Sequence, residues 1–267
     1  MKKYKIGFIG AGNIASAIFN GITSSGYIKS DNILVFDTDK TKSDAFKLQG
    51  AEIAPSANAL VTDSEFVFLT VKPQIYSTLL DSIKDYAVGT CFIDVAAGIS
   101  ISFVKKTLGF DAAVIRVMPN TPLMYGKGAS ALVKSEPVTD EQFSFIRSCF
   151  DACGVTCVVD EKYINTVTAV SGSAPAFAMR FIKDLVDFAV DSGMSSEDAE
   201  ILVIQTVIGS AEMIKKSDCD VQQLIKNVTS PNGTTEAGLR SLDVNDFDNI
   251  LKLCLEATVN RAKELSK

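Results

Sequence analysis

Short apolar runs punctuate the first 160 residues of this chain. "YKIGFIG" (4–10), "NILVFD" (32–37), "SEFVFLTV" (64–71), "TCFIDVAA" (90–97) and "AAVIRVMP" (112–119) are each nearly continuous and β-prone. Runs of this kind predict strands buried on both faces. Between them the period changes. "NIASAIFNGITSSG" (13–26) sets Ile14, Ala17, Ile18, Gly21 and Ile22 on one helical face, and "TKSDAFKLQ" and "PQIYSTLLDSIKDY" read as further helices. Strands alternating with helices imply βαβ units and a parallel sheet covered on both sides.

"GASALVKS" (128–135) and "GVTCVVD" (154–160) are the last strand-like runs. From Glu161 onward the pattern is helical. "YINTVTAVSGSAPAFAMRFIKDLVDFAVDSG" predicts one long helix closed by Gly193. "SSEDAEILVIQTVIGSAEMIKKS" opens with Ser195 or Ser196 ahead of acidic residues, a capping signature, and "DVQQLIKNV" and "VNDFDNILKLCLEATVNRAKEL" follow. The expected class is α/β: an N-terminal Rossmann-like, doubly wound sheet over residues 1–161, and an all-α C-terminal domain over 162–267. "ILVIQTVIGSA" and "FAMRFIKDLVDFAV" carry more apolar surface than one small helical domain hides. Either a central helix is fully buried in a compact bundle, or helices are exchanged between two copies of the chain; the homodimer is the expectation.

Composition narrows the partners. The net charge of −6 disfavours nucleic acid and anionic membranes, and no apolar run approaches the ~20 residues of a membrane span. "MKKYKIGFIGAGN" starts basic and then apolar, as a signal peptide does, but its run is short and broken by glycine, so it reads as a strand entering a turn and the expected location is cytoplasmic. The six cysteines form no CxxC pair. Cys149, Cys153 and Cys157 have helical spacing, yet Gly154 and the β-branched "VTCVV" end that helix, so buried reduced thiols are expected and no metal site. The count of histidines is 0. That excludes Ser-His-Asp and Cys-His catalysis and any dehydrogenase using an imidazole acid.

Two stretches carry candidate chemistry. Gly10-Ala11-Gly12-Asn13-Ile14-Ala15 is a GxGxxA pattern between a predicted strand and a predicted helix. Gly10 permits the tight turn, Gly12 lets backbone approach a pyrophosphate, and Ala15 allows close helix packing. Asp37 ends the second strand, where a carboxylate accepts the ribose hydroxyls of NAD. Lys40 and Lys42 lie just beyond and suit a 2′-phosphate instead, and Asp37 is also placed to cap the following helix. "VKPQ" (71–74) and "AAG" (96–98) follow later strands, with small residues that leave room for a nicotinamide, and Asn58 precedes the strand at 64–71 where an adenosine ribose would be reached. The second stretch is "SPNGTTEAGL" (230–239). Pro231 and Asn232-Gly233 specify a turn, after which Thr234 or Thr235 is placed to cap a helix; a helix start with free N–H groups and hydroxyls is also a cradle for a carboxylate or phosphate.

Taken together, "IGFIGAGNIASAI", "TVKPQ", "AAGIS", "RVMPNTP", "TAVSGSAPAF" and "VTSPNGTTEAGL" resemble, in order and spacing and over essentially the whole chain, the pyrroline-5-carboxylate reductase family. "VTSPNGTTEAGL" looks like that family's signature segment, and the resemblance implies that this turn holds the substrate carboxylate at a helix start. It implies cofactor contacts at Gly10–Ala15, Asn58, Val71, Lys72, Pro73, Ala96, Ala97 and Gly98. It implies substrate contacts at Ser230, Gly233, Thr234 and Thr235, with Asn227 and Glu161 nearby. Asn232, Ala174 and Phe177 depart from the family's usual Gly, Gly and Tyr, and Asp37 departs from its polar or basic run suited to NADP. NADPH or NADH is therefore the implied cofactor, with Asp37 favouring NADH.

The implied reaction is hydride transfer from NAD(P)H to the C=N carbon of a cyclic imino acid, giving proline. A protonated imine needs orientation, desolvation and one hydrogen bond rather than a strong acid. Thr235 suits that bond in a positioning role, and Ser230 suits the carboxylate. Glu161 fits either a supporting role or a helix-start carboxylate favouring the dipole. Interwoven dimers, assembling further into a ring, are the implied partners. A β-hydroxyacid dehydrogenase shares the architecture but needs a catalytic lysine where "SGSAPAFAMRFIKD" offers only Arg180 and Lys183. An idle dinucleotide-binding protein would have no use for a carboxylate cradle.

Overall fold

The computed structural model describes residues Lys2–Leu265. The chain forms two compact units, one comprising the residues up to Ser173 with the end of the last helix from Thr258, the other Ala174–Ala257.

The first unit is built on one eight-stranded sheet. Its strands are β1 (Tyr4–Ile9), β2 (Ile33–Phe36), β3 (Glu52–Ile53), β4 (Ser64–Leu69), β5 (Cys91–Asp94), β6 (Ala113–Met118), β7 (Gly128–Lys134) and β8 (Gly154–Val158), in the order β3-β2-β1-β4-β5-β6-β7-β8. The first six run parallel, with Phe8 opposite Val35 on one side and Phe68 on the other. β7 pairs antiparallel to β6, and β8 follows β7. The two-residue β3 has no run of its own in the apolar pattern; it joins the sheet only because β2 offers it an edge. Parallel strands put their carboxyl ends on one rim, and the reversal of order between β1 and β4 opens a crevice there.

Helices α1 (Asn13–Ser24), α2 (Lys40–Lys47), α3 (Ala57–Asp63), α4 (Tyr76–Ile83), α5 (Ile101–Leu108) and α6 (Asp140–Asp151) cover the sheet. Two apolar clusters result. Ile18, Phe19 and Ile22 of α1 join Phe8, Phe46, Phe68 and Phe150 in one, where the Phe8 and Phe68 rings stack with centroids 4.7 Å apart. Tyr76, Leu80 and Ile83 of α4 join Leu69, Phe92 and Val104 in the other. This is why the strands read as unbroken apolar runs: each face of the sheet is a core face. α6 ends before Gly154 and Cys157 lies in β8, so the three spaced cysteines share no helix. Cys91, Cys149 and Cys153 are buried thiols, whereas Cys157 and Cys219 are exposed, contrary to the expectation of burial.

The long helix expected from Tyr163 to Gly193 is interrupted. A 3-10 turn at Glu161–Tyr163 leads into α7 (Ile164–Val167), a π-helical turn at Thr168–Gly172, and then α8 (Ala174–Asp191). Pro175 is the cause. It has no N–H to give to the carbonyl of Ser171 and its ring crowds that carbonyl. Ser173 N donates instead to Thr168 O across five residues at 2.8 Å, and the Asn120 amide, 3.4 Å away, reaches the Ser171 carbonyl.

The second unit contains α8, α9 (Ser196–Lys216), α10 (Val221–Asn227), α11 (Thr234–Val244) and most of α12 (Phe247–Leu265). Ser195 caps α9 by accepting from Asp198 N at 3.1 Å. α8 packs on α9, yet Ala199 is the one buried residue between 174 and 257. Among the described residues no helix is long and apolar enough to cross a membrane.

Candidate active site

Gly10 leaves β1 with φ +102°, a conformation open to glycine. Its N–H donates to Phe36 O at 2.8 Å, and the Thr70 hydroxyl donates to Gly10 O at 2.6 Å. A Cβ on Gly10 would lie 2.8 Å from the Thr70 carbonyl carbon and oxygen, so a side chain here collides with backbone. Gly12 is the N-cap of α1, and no side chain accepts from the helix's first amides. A Cβ built on Gly12 meets nothing within 4 Å, so the space over the helix end is open. Asn13 and Ile14 begin the helix, Ala11 is buried, and Ala15 is wholly buried in the core. A glycine turn, an uncapped helix start and open space above it fit a pyrophosphate.

Asp37 follows β2. Its Oδ2 accepts from Ala11 N at 2.7 Å and its Oδ1 from Asp39 N at 2.9 Å. It does not cap α2: Asp39 does, accepting from Thr41 N at 3.0 Å. Asp37 therefore braces the glycine turn while remaining part-exposed on the sheet rim. Asn58 stands in the first turn of α3, a helix capped by Ser56. Its carbonyl accepts from the Thr62 hydroxyl, and its side chain is half-buried on the same rim. Val71 packs on the core, Lys72 is exposed, and Pro73 begins a 3-10 turn after β4. Ala96 and Ala97 are half-buried after β5, and Gly98 has φ +80°. A Cβ on Gly98 would stand 2.6 Å from Leu265 O of α12, so the loop fits under the end of that helix only as glycine.

Beneath this loop lies a charged cluster that the motifs do not single out. Asp94, the last residue of β5, is 0 % exposed, and Arg116, its partner in register on β6, is 5 % exposed. The Tyr76 hydroxyl is 2.7 Å from both Asp94 Oδ1 and Leu69 O, and Ala96 N donates to Asp94 Oδ1 at 3.0 Å. Arg116 Nη1 donates to Glu161 Oε1 at 2.9 Å, and Ile101 N donates to the same oxygen at 2.9 Å. Asp94 Oδ2 and Arg116 Nε are buried without a hydrogen-bond partner among the described residues. Burial pushes the Asp94 carboxyl up to about 6, against the opposing pull of the Tyr76 hydroxyl, Ala96 N–H and Arg116; burial likewise pushes the Tyr76 hydroxyl well up. Glu161 thus pairs with a guanidinium and holds a strand-to-helix amide, more than a helix-start charge would do. A signal was present in the sequence: an aspartate and an arginine inside apolar runs of a sheet with two core faces require partners.

In the second unit the turn at Ser230–Gly233 precedes α11. Asn232 takes φ +59°, and Gly233 N donates to Ser230 O at 3.0 Å. The N-cap is Gly233, not Thr234 or Thr235, and no side chain caps the helix. The physical reason is length: the turn closes one residue earlier, leaving both threonines in the first helical turn. Glu236 reaches back to accept from Asn232 N at 2.5 Å. Ser230, Thr234 and Thr235 are exposed, and their hydroxyls make no hydrogen bond among the described residues. Asn227 ends α10 and accepts from Gln223 Nε2 at 2.9 Å. Arg180 and Lys183 pair with Asp184 and Asp187 one turn on along α8, as ordinary surface ion pairs.

Residues 161–265 match the family model described as pyrroline-5-carboxylate reductase dimerisation, and residues 5–98 match one described as NADP oxidoreductase coenzyme F420-dependent. Pyrroline-5-carboxylate reductase 2 of Bacillus subtilis (strain 168) is 32 % identical over 98 % of this chain and 95 % of its own length. The pyrroline-5-carboxylate reductase of Staphylococcus haemolyticus (strain JCSC1435) is 34 % identical over 98 % of both chains. Among solved structures, that of a pyrroline-5-carboxylate reductase from Coxiella burnetii superposes with a TM-score of 0.91 at 34 % identity. That of the Plasmodium falciparum pyrroline carboxylate reductase with NADP bound gives 0.90 at 32 %. Both cover 100 % of each chain.

Proposed function

Since the chain belongs to the pyrroline-5-carboxylate reductase family, we propose that it reduces 1-pyrroline-5-carboxylate to L-proline with a reduced nicotinamide dinucleotide. The observation that carries this reading is that each unit holds an uncapped helix start: an open one after a glycine turn in the first unit, and in the second one flanked by three hydroxyls that make no hydrogen bond among the described residues. The first suits a pyrophosphate and the second a carboxylate, each by its free N–H groups and helix dipole.

The bound dinucleotide supplies the hydride. The chain's residues bind, orient and exclude water. Gly10–Ala15 takes the pyrophosphate, Asn58 and Asp37 the adenosine ribose, and Val71, Lys72, Pro73 and Ala96–Gly98 the nicotinamide end. Ser230, Gly233 and Thr234 hold the carboxylate, Thr235 hydrogen-bonds the imine nitrogen, and Asn227 and Glu161 support the substrate side. The finer preference we assign is NADH. It rests on Asp37, whose carboxylate, fixed by Ala11 N–H, retains lone pairs for ribose hydroxyls and repels a 2′-phosphate. NADP in the Plasmodium relative speaks for the other cofactor in that protein, so the preference is decided by measurement. Domain limits of 1–161 and 162–267, a cytoplasmic location consistent with the buried thiols Cys91, Cys149 and Cys153, and an interwoven homodimer complete the reading.

The test is an assay of purified protein with pyrroline-5-carboxylate and each reduced cofactor. Oxidation of NADH or NADPH coupled to proline formation is expected. A folded, dinucleotide-binding sample that turns over neither would overturn the reading, and a kcat/KM higher for NADPH would overturn the role of Asp37.

A further inference from the structure

The buried cluster under the Ala96–Gly98 loop carries more charge than holding a loop requires. Two carboxylates grip the two ends of one short segment: Asp94 takes the N–H of Ala96, and Glu161 takes the N–H of Ile101. Arg116 lies beside Asp94 on the neighbouring strand and binds Glu161, so the two grips share a cation. Tyr76 extends the cluster to Leu69, the last residue of β4, from which the Val71–Pro73 loop departs. A wholly buried aspartate with one oxygen unpartnered is expensive. The same backbone could be held by a neutral side chain at lower cost, as the serine and threonine caps elsewhere in the unit show.

We propose that Asp94 is a positioning residue for hydride transfer: in its ionised form, together with Glu161 across Arg116, it fixes the height and orientation of the 96–101 segment against which the nicotinamide is held. This rests on the proposed function, which puts the nicotinamide at that segment.

The cluster has two distinct states. A tyrosine hydroxyl has one proton to give. With Asp94 ionised, Tyr76 gives it to Oδ1, which then accepts charge-assisted bonds from both Tyr76 and Ala96. With Asp94 protonated on Oδ1, the carboxyl donates to the Tyr76 oxygen, Tyr76 turns its proton to Leu69 O, and Ala96 N–H is left on a neutral, weaker acceptor. Facing Asp94 are Tyr76 from α4, Arg116 from β6 and Glu161 from the turn before α7, while β4 presents Leu69. Burial raises the Asp94 carboxyl to about 6, so the grip on Ala96 tightens as pH rises through that value.

The experiment compares the wild type with Asp94→Asn, which keeps the shape and the Oδ1 acceptor but not the charge, and with Asp94→Ala. Above pH 7, Asp94→Asn should lower kcat by about five- to tenfold, as expected for one charge-assisted contact, while the dissociation constant of the reduced cofactor stays within about threefold, since the pyrophosphate and adenosine contacts are untouched. The ratio of wild-type to Asp94→Asn kcat should fall toward one by pH 5; comparing ratios cancels titration of the substrate itself. Amide hydrogen exchange over residues 95–101, read without cofactor or substrate, should quicken about tenfold in Asp94→Ala. A ratio that does not change with pH would overturn the proposal, as would unchanged exchange in a folded Asp94→Ala. If Asp94→Ala does not fold, the pH ratio of Asp94→Asn decides. If the wild type shows no turnover, the proposed function has failed, and the exchange experiment still decides whether Asp94 holds the segment.

Discussion

Thr235 and Ser230 illustrate how a residue's role separates from its local structure. The spacing of "SPNGTT" leaves both capping and ligand cradling open. The structure removes the first: Gly233 caps α11, and neither threonine hydroxyl makes a hydrogen bond among the described residues. Thr235→Val should therefore leave the melting temperature nearly unchanged, where loss of a true cap costs about 1 kcal/mol. If the hydroxyl serves the imine nitrogen, kcat should fall by roughly ten- to a thousandfold. Ser230→Ala should raise the substrate KM more than it lowers kcat, because a carboxylate anchor binds ground and transition states alike. A stable Thr235→Val enzyme with normal turnover would leave that hydroxyl without a role in the reaction. Asp37 was legible as a rim carboxylate, but its bond to Ala11 N was not, because a spacing of residues does not say which amide a side chain reaches. Asp37→Ser should shift the NADH-to-NADPH preference toward NADPH by about 1–3 kcal/mol, the scale of one charge-assisted contact, as read in kcat/KM for each cofactor.

Asp94 has a measurable cost at the same scale. Burial raises its carboxyl from the ordinary aspartate range to about 6. A raised acid stabilises the fold when protonated: the contribution is complete below the unfolded value near 4 and is lost as pH rises through about 6. The stability of the wild type relative to Asp94→Asn should thus decline by about 2–3 kcal/mol between about pH 4 and 7, a tenfold change in acid strength being worth about 1.36 kcal/mol. Denaturant unfolding of both proteins at several pH values checks this. Equal slopes would mean that the carboxyl is not raised.

At the scale of elements, the parallel strands, the glycine turn and the covering helices were all legible, because a sheet with two core faces writes itself as unbroken apolar runs. What was not legible depends on neighbours. β3 exists because β2 needs an edge partner, and the helix expected from Tyr163 breaks because Pro175 disrupts a bond that the apolar pattern does not register. The β1–turn–α1 element makes its own prediction. Gly10→Ala puts a Cβ 2.8 Å from the Thr70 carbonyl at a φ of +102°, so both collision and strain oppose it. Stability should fall by about 1–3 kcal/mol, and dinucleotide affinity should fall more than tenfold as the turn shifts away from α1. Gly12→Ala faces open space, so its fold should keep near-normal stability while its affinity falls as the Cβ enters the ligand's space. Calorimetric melting and cofactor titration on the two variants separate turn geometry from ligand contact; a Gly12→Ala protein that binds normally would move the pyrophosphate elsewhere.

For the whole molecule, the decisive fact is that residues 174–257 have almost no interior. Only Ala199 is buried there. Phe188 is 75 % exposed, and Phe181, Ile201, Leu202, Ile250 and Leu253 are more than half exposed. Helices in water gain most of their stability from an apolar face packed against something, and a surface this apolar is expected to be covered. The match of residues 161–265 to a dimerisation family points to a second copy of the chain as the cover. A dimer whose helical unit has no core of its own would link folding to association, so the melting temperature should rise with protein concentration over the micromolar range. Light scattering should report at least twice the 28.6 kDa of one chain. Phe188→Asp and Ile201→Asp put charges on the face to be buried and should shift the molecule toward monomer, with a lower melting temperature and a loss of activity that raising the concentration partly restores. Lys29→Glu, a change in the first unit, is the control for charge alone. If the wild type stays a stable monomer at micromolar concentration, with a melting temperature independent of concentration, the helical unit would have to be stable without a core. That outcome would remove the dimer from the reading of this chain.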